Sequence, residues 1–284
     1  MQAYITLKNG MQMPRLGMGT WFLGENRSTR AQEIAALRAG LDAGMQLIDT
    51  AEMYGNGLSE QLIGEAIQGY NRENLFLVSK VYPHNAGKRG MQKSIDQSLK
   101  SLRTDYLDLY LLHWRGNIPL SETVECMEEL VAQGKIKSWG VSNFDVSDMK
   151  ELLRVPNGGN CMVNQVLYHL GSRGVEYELL PWLTEHQIPL MAYCPLAQAG
   201  DLRRGLLNNE VLRQVAQKYQ ISVLQLLLAF VLHHENVIAI PRSSRREHVL
   251  ENWKVREISL TDEDFDAVNR AFPAPKWRVP LDIV

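Results

Sequence analysis

Polar side chains recur in this sequence directly behind short apolar runs. Asp49 closes QLID, Lys80 closes LFLVSK and His113 closes DLYLLH; Ser142 and Asn143 close WGVSN, Gln165 closes MVNQ, Tyr193 closes LMAY and Arg242 closes IAIPR. Tyr54 follows in the loop DTAEMYGNG. Any one of these is bland on its own. A lone His behind a strand is most often a satisfied core histidine, and a lone Lys most often snorkels to solvent. Titratable and amide groups at so many consecutive strand ends instead describe one charged site. A tyrosine is expected to protonate a developing alkoxide only if its pKa falls towards neutrality, and a neighbouring ammonium does that. Lys80 is the strand-end lysine. Held in a partly desolvated mouth it needs a carboxylate to stay charged, and Asp49 supplies one. His113 can then hydrogen-bond and orient a carbonyl oxygen. This set suits carbonyl reduction by an external hydride donor; it contains neither a nucleophile nor a metal cluster.

Such convergence requires a fold that gathers strand ends at one mouth. Eight apolar runs recur, at 16–19, 45–49, 75–80, 106–113, 138–142, 162–165, 188–193 and 237–240. Between them lie segments of helical period at 29–43, 94–102, 121–132, 145–153, 175–185, 209–219 and 222–233. The gap from Tyr193 to Val237 is expected to hold two helices. Tyr4–Leu7 and Met11–Met13 flank Lys8-Asn9-Gly10 as a hairpin with a primed turn. Eight strands alternating with helices predict an α/β protein, a (β/α)₈ TIM barrel capped by an N-terminal β-hairpin. The competing doubly wound sheet needs GxGxxG after its first strand. Here Phe22 stands where the third glycine belongs. No linker or low-complexity tract divides the chain, so residues 1–284 are expected to form one domain.

Composition narrows the function classes. The 30 Lys and Arg against 32 Asp and Glu give a net charge of −2, which leaves no basic surplus for a nucleic-acid partner. The longest apolar stretch, 223–232, is too short for a bilayer and is broken by Gln225, and no secretory signal opens the chain. Cys126, Cys161 and Cys194 are scattered and odd in number. The expectation is a cytoplasmic protein without disulfides, membrane segment or metal.

The motifs IDTAEMYG, LVSKVY, YLDLYLLHW, GVSNF, NQVLYH, AYCPL and IPRSSRREHVLEN, in order over nearly the whole chain, resemble the aldo-keto reductase superfamily. Within it the chain is most similar to the bacterial branch that reduces methylglyoxal and other small aldehydes. The resemblance implies NADPH as cofactor and a catalytic tetrad of Asp49, Tyr54, Lys80 and His113. It implies that Ser142, Asn143 and Gln165 hydrogen-bond the nicotinamide carboxamide, and that Tyr193 stacks on its ring. Gly19, Thr20 and Trp21 behind the first barrel strand, and Cys194, Leu196 and Gln198 behind the seventh, fall where the family lines its cofactor. Cys194 is read as a buried small hydrophobe in preference to a redox-sensitive thiol. Arg242, Ser243, Ser244 and His248 match the site of the 2′-phosphate and adenine, and Glu251 and Asn252 the adenine-contacting pair. Residues 242–256 carry five Lys or Arg against two Glu. Such a run is usually a solvated face; directly after the eighth strand it can clamp a phosphate through bidentate Arg contacts. The family commonly has Lys at position 242 and Arg at 248, so the preference for NADPH over NADH is expected to be present but weakened at His248.

Around the carbonyl the resemblance places Trp21, Tyr82 and Trp114 beside Tyr54 and His113, an apolar pocket with one polar end. His84, Asn85 and Arg115 lie in adjoining loops, where they either read a polar or anionic substrate group or are simply solvated, the latter being the preferred reading for Asn85 and Arg115. The tail 273–284 either folds back near the mouth or caps a helix. The expected activity is NADPH-dependent reduction of aldehydes and ketones such as methylglyoxal, an oxidoreduction between CH–OH and C=O, by a monomer acting on small molecules. The alternatives are a reductase of diketo-sugar acids or other ketones, and a non-catalytic NADPH-binding regulatory barrel. A metal-dependent barrel hydrolase using Asp49, His84 and His113 would need paired His spacing that the sequence lacks.

Overall fold

The expected apolar runs become the strands of one parallel sheet in a computed structural model, which describes residues 2–198 and 200–284. A hairpin, β1 (Tyr4–Thr6) and β2 (Gln12–Pro14), precedes them. The sheet strands are β3 (Gly17–Gly19), β4 (Leu47–Asp49), β5 (Phe76–Val81), β6 (Leu109–Leu112), β7 (Trp139–Ser142), β8 (Cys161–Leu167), β9 (Leu190–Tyr193) and β10 (Val237–Ala239). Each pairs with the next in sequence. Parallel bridges Leu16↔Ala239 and Gly19↔Arg242 join the first barrel strand to the last, closing the barrel. The helices are α1 (Arg30–Ala43), α2 (Leu58–Ala66), α3 (Met91–Leu102), α4 (Leu120–Ala132), α5 (Val146–Arg154), α6 (Leu179–Glu185), α7 (Asp201–Asn208), α8 (Glu210–Lys218), α9 (Val223–His233), α10 (Arg246–Lys254) and α11 (Asp262–Ala271). Several start where a cap is written in the sequence. Asp145 caps α5 in a box with Asp148, Asn209 caps α8 through the Leu212 N–H, and Ser222 boxes α9 with Gln225.

Strand alternation explains what the barrel contains. Side chains two apart share a face, and the interior cluster includes Leu47 of β4, Phe76 and Val78 of β5, Leu109 and Leu111 of β6, Val163 of β8, Met191 of β9 and Ile238 and Ile240 of the β10 segment. Leu7 and Met13 of the hairpin belong to the same cluster and plug one end. The opposite face of each strand packs on the helices: Ile48, Leu77, Tyr110, Val141 and Ala192 join the outer cluster with residues of α1 to α9. Each fully buried aliphatic side chain is worth about 1.5–3 kcal/mol, so both layers bind strongly to this register.

Three local expectations are corrected. The hairpin turn is not primed: Gly10 alone takes positive φ (+85°), Gly10 N–H donates to Leu7 O and Leu7 N–H to Met11 O. A three-residue loop with a left-handed glycine and a bulge gives the same strand twist as a primed pair. The helix expected over 175–185 is a 3₁₀ turn, Gly174–Glu176, followed by the shorter α6. There Glu176 accepts from Arg173 Nε (2.8 Å) and Nη2 (2.6 Å) and from Tyr168 Oη (2.7 Å), a tertiary tie that sets the turn. Between β9 and β10 stand three helices, not two. The unforeseen α7 is only eight residues long, buries only Leu206 and exposes Leu202. Among the described residues no single helix is long and apolar enough to cross a membrane; α8 and α9 pass such a test only as a pair bent by 85°.

Candidate active site

The residues with chemistry continue the inward-facing series of their strands. After Leu47 comes Asp49; after Phe76 and Val78 comes Lys80; after Leu109 and Leu111 comes His113; after Val163, Gln165; after Met191, Tyr193. One end of the barrel core is therefore apolar and the other polar. Above the polar end lies a cavity of about 900 Å³, lined among others by Asp49, Tyr54, His113, Trp114, Ser142, Asn143, Gln165 and Tyr193.

At its floor Lys80 Nζ lies 2.9 and 2.8 Å from the two Asp49 carboxylate oxygens, and donates to Thr50 O at 2.7 Å. Gln165 Nε2 donates to Asp49 Oδ1 at 2.8 Å. Both members of the ion pair are buried. Burial pushes the Lys80 pKa down and the Asp49 pKa up, each opposed by the partner's charge; with the hydrogen-bonding groups saturated on both sides, the charged pair is the form that this geometry holds. Tyr54 reaches this pair through an unusual turn. Gly55, Asn56 and Gly57 have φ of +56°, +52° and +86°, a left-handed run that glycine makes accessible. It folds Tyr54 back so that its hydroxyl stands 3.1 Å from Lys80 Nζ.

The expected lowering of the Tyr54 pKa does not occur in this state. Burial pushes the phenol well above its usual value, and Asp49 adds to the rise. The ammonium is 3.1 Å away, but its charge is already matched by both oxygens of Asp49. Tyr54 is thus fully protonated at neutral pH. His113 sits on the other side, its ring 5.9 Å from that of Tyr54 in an edge-on arrangement. Desolvation, with Lys80 adding repulsion, lowers its pKa to about 2. The imidazole is neutral, and its Nδ1 has no hydrogen-bond partner among the described residues.

The residues expected on the cofactor side separate into two groups. Gly19, Thr20, Trp21, Ser142, Asn143, Gln165, Tyr193, Cys194, Leu196, Gln198 and Arg242 all line the cavity. Tyr193 Oη donates to Asn143 Oδ1 at 2.9 Å, and Asn143 Nδ2 to His113 O at 3.2 Å, fixing the amide. Ser142 Oγ donates to Gln165 O at 2.8 Å. The Thr20 hydroxyl is spent inside the fold, donating to Asp49 O and accepting from Ser59. Cys194 is half-buried, and burial raises its pKa, so it is held as a thiol. Ser243, Ser244, His248, Glu251 and Asn252 lie outside the cavity lining. Ser243 Oγ bonds within its own turn to Arg245, the Ser244 carbonyl accepts from Gln32, and His248 and Glu251 are exposed on α10, where Asn252 is buried.

Around the carbonyl position, Trp21 packs 6.4 Å from Tyr54 and stacks on Phe22 at 4.5 Å. Trp114 lies 4.8 Å from His113 and edge-on to Tyr82 at 5.9 Å. Tyr82 itself backs Trp114 and does not line the cavity. His84 stacks on Tyr82, Asn85 donates to Glu52, and Arg115 pairs with Glu151 at 3.0 Å while donating to Ile118 O. Among the described residues no three His, Cys, Asp or Glu side chains form a metal-binding group. The tail folds back to the mouth: Arg278 pairs with Asp145 (2.9 Å), Ser172 donates to Asp282, and Ile283 and Val284 line the cavity. Besides these, Phe22, Met53, Ala197 and Arg203 line it without having been expected. Phe22, Met53 and Ala197 sit on loops and Arg203 on the short helix α7, where no strand period announces a facing.

A preformed ion pair under a tyrosine, at the C-terminal mouth of a parallel barrel, is the arrangement to which the motifs pointed, and the aldo/keto reductase family model matches residues 15–272. The chain belongs to the aldo/keto reductase family. It is 52% identical over 283 residues to methylglyoxal reductase YeaE of Escherichia coli, covering 100% of this chain and 99% of that protein. It is 37% identical to glyoxal reductase of Bacillus subtilis, covering 93% and 91%. The crystal structure of an aldo/keto reductase from Klebsiella pneumoniae in complex with NADP and acetate superposes with a TM-score of 0.97 at 51% identity, covering both chains completely. As an aldo/keto reductase, this chain is an oxidoreductase with the (β/α)₈ fold.

Proposed function

We propose that the chain reduces small aldehydes and ketones, 2-oxoaldehydes such as methylglyoxal foremost, to alcohols with NADPH. The observation that carries this reading is the Tyr54 hydroxyl 3.1 Å from an Asp49-paired Lys80 on the floor of an otherwise aromatic cavity. The names of the relatives and the NADP of the Klebsiella structure support the choice of substrate class and cofactor. The cavity fits a dinucleotide: an aromatic ring at Tyr193, side-chain amides at Asn143 and Gln165, and arginines at 203 and 242 line about 900 Å³.

NADPH, when bound, supplies the hydride. The protein's part is the proton and the orientation. Trp21, Trp114 and Tyr54 flank the substrate and limit water. His113, neutral across the physiological range, donates to the carbonyl oxygen without competing for the proton. Tyr54 gives its proton to that oxygen as it becomes an alkoxide, a far stronger base than a phenolate. The phenolate that remains is stabilised by the Lys80 ammonium, whose interaction is strong in a dry site. Lys80 therefore acts on the product side of the proton transfer and not by acidifying the resting tyrosine. Arg242, Ser243, Ser244 and His248, with Glu251 and Asn252, would hold the adenosine phosphate end, which favours NADPH over NADH.

The whole chain, 1–284, is read as one barrel domain working as a cytoplasmic monomer; the free cysteines at 126, 161 and 194 fit a reducing compartment. The test is the rate of NADPH and NADH oxidation with methylglyoxal, glyceraldehyde, 4-nitrobenzaldehyde, a diketo-sugar acid and a steroid. The expected outcome is highest kcat/KM for methylglyoxal with NADPH. Faster turnover of the sugar acid or of NADH would replace the corresponding part of the reading.

A further inference from the structure

Tyr54 owes its place to a turn with little stiffness of its own. Gly55 and Gly57 supply two of its three left-handed residues, and glycine is the most permissive residue of the backbone. What holds the two ends of the turn therefore decides where the Tyr54 hydroxyl stands. On the near side Tyr54 N–H donates to Ala51 O at 3.0 Å. On the far side the first turn of α2 carries two polar side chains that the proton transfer does not use. Ser59 and Glu60 are 0% and 1% exposed. Ser59 Oγ donates to Thr20 Oγ1 at 2.9 Å and accepts from Thr50 Oγ1 at 3.2 Å. The Thr50 carbonyl in turn accepts from Lys80 Nζ. Glu60 Oε1 accepts from Ser79 Oγ at 2.7 Å. Ser79 directly precedes Lys80 on β5, its side chain turned out to the helices while Val78 and Lys80 point inward.

Among the described residues Glu60 forms no ion pair, and burial pushes its pKa up against the opposing Ser79 hydrogen bond. An acid buried without a counter-charge costs stability. The apolar contacts of Leu62 and Ile63 already hold α2 to the barrel, but such contacts are not directional. A hydrogen bond of 2.7 Å fixes both distance and direction. We propose that Ser59 and Glu60 are positioning residues, which brace the α2 end of the Tyr54 turn against Thr50 and Ser79 and so set the 3.1 Å spacing of Tyr54 and Lys80. This deepens the proposed reaction and rests on it. The brace joins the element that carries the proton donor to the strand that carries the ammonium. The phenolate left by proton transfer is stabilised across that spacing, and a misplacement of about 1 Å can cost about 100-fold in rate.

The experiment follows a single turnover of bound NADPH with methylglyoxal by stopped flow. The NADPH Kd and the urea unfolding midpoint are recorded for each variant. Glu60→Met removes the acceptor at similar length, and is expected to slow the turnover by about 10- to 100-fold with the NADPH Kd within about twofold of wild type. Ser79→Ala breaks the same bond from the other side and is expected to slow it by a similar factor. Because the two share one bond, the double variant should be no slower than the slower single, within about twofold. Glu60→Gln keeps an oxygen for Ser79 and is expected to recover most of the loss. A turnover within twofold of wild type in folded Glu60→Met, whatever its urea midpoint, would make Glu60 a residue of stability only and overturn the brace. Losses that multiply in the double variant, or a NADPH Kd weakened by the same factor as the rate, would also overturn it. Should Glu60→Met fail to fold, Ser79→Ala decides alone, and a wild-type rate there overturns the assignment. Wild-type protein that reduces no carbonyl with NADPH would overturn the proposed reaction and the brace together, an outcome separate from variants that turn over like wild type.

Discussion

The two ends of the proposed cofactor track are built in opposite ways. At the tetrad, Asp49, Lys80, Gln165 and Thr50 form a closed hydrogen-bonded network within the barrel, and the charged pair is nearly inaccessible to water. At the adenosine end, Arg242 and His248 are exposed, and Ser243 and Ser244 bond only to nearby turns or helices. The difference teaches that the reacting end is organised by folding, whereas the phosphate end keeps its groups hydrated until a ligand orders them. Preorganisation matters most where charge develops in the transition state. Phosphate recognition tolerates a looser arrangement, because long-range attraction and several arginines share the work.

The sharpest way to break the comparison is at Tyr54. Tyr54→Phe is expected to lower kcat by about 10²- to 10⁴-fold, the range for a positioned general acid, while NADPH binding stays within twofold. Retained turnover would remove the proton-donor role. Next comes the pair beneath it. Lys80→Met leaves Asp49 buried and unpaired, and urea unfolding at pH 7 should show a loss of about 3–5 kcal/mol; an unchanged midpoint would mean that the floor is not held by the pair.

His113 gives a pH signature. Its pKa is about 2 in the folded protein, against about 6.5 in an unfolded chain. The unfolded state therefore binds the extra proton below pH 6.5, and this contribution to stability is complete above that pH and drains away as pH falls towards 2. Between pH 7 and pH 5 the wild type is expected to lose about 2 kcal/mol more than His113→Gln does. Parallel losses in the two proteins would place His113 in a wetter site than the fold indicates. The smallest effect belongs to the exposed end. His248→Arg should tighten NADPH by about two- to fivefold, the size of one exposed cation–π or phosphate contact, and leave the melting temperature unchanged. A large stability change there would contradict the picture of a solvated, ligand-ordered end.

Much of this molecule is written in its strands. The eight apolar runs, the polar residue behind each and the caps at Asp145, Asn209 and Ser222 are local signals, and the alternation that buries Leu47, Val78 and Leu111 also carries Asp49, Lys80 and His113 inward. Loops carry no such period. Phe22 and Met53 enter the cavity from loops and Arg203 from α7, a helix of eight residues too short to show a period over several turns. The tail's return to the mouth depends on Arg278 meeting Asp145 and on Ser172 meeting Asp282, contacts between residues more than a hundred positions apart.

What the sequence determined by itself was the barrel, the set of reacting groups and the sign of charge behind β10, since each follows from a period or a residue type. What only the tertiary structure decided was their electrostatic state. Tyr54, five residues from Asp49 in sequence and 3.1 Å from Lys80 in space, was expected to be acidified. Burial and the neutralising grip of Asp49 on Lys80 raise its pKa instead, because desolvation depends on everything packed around a group and not on which residues neighbour it along the chain.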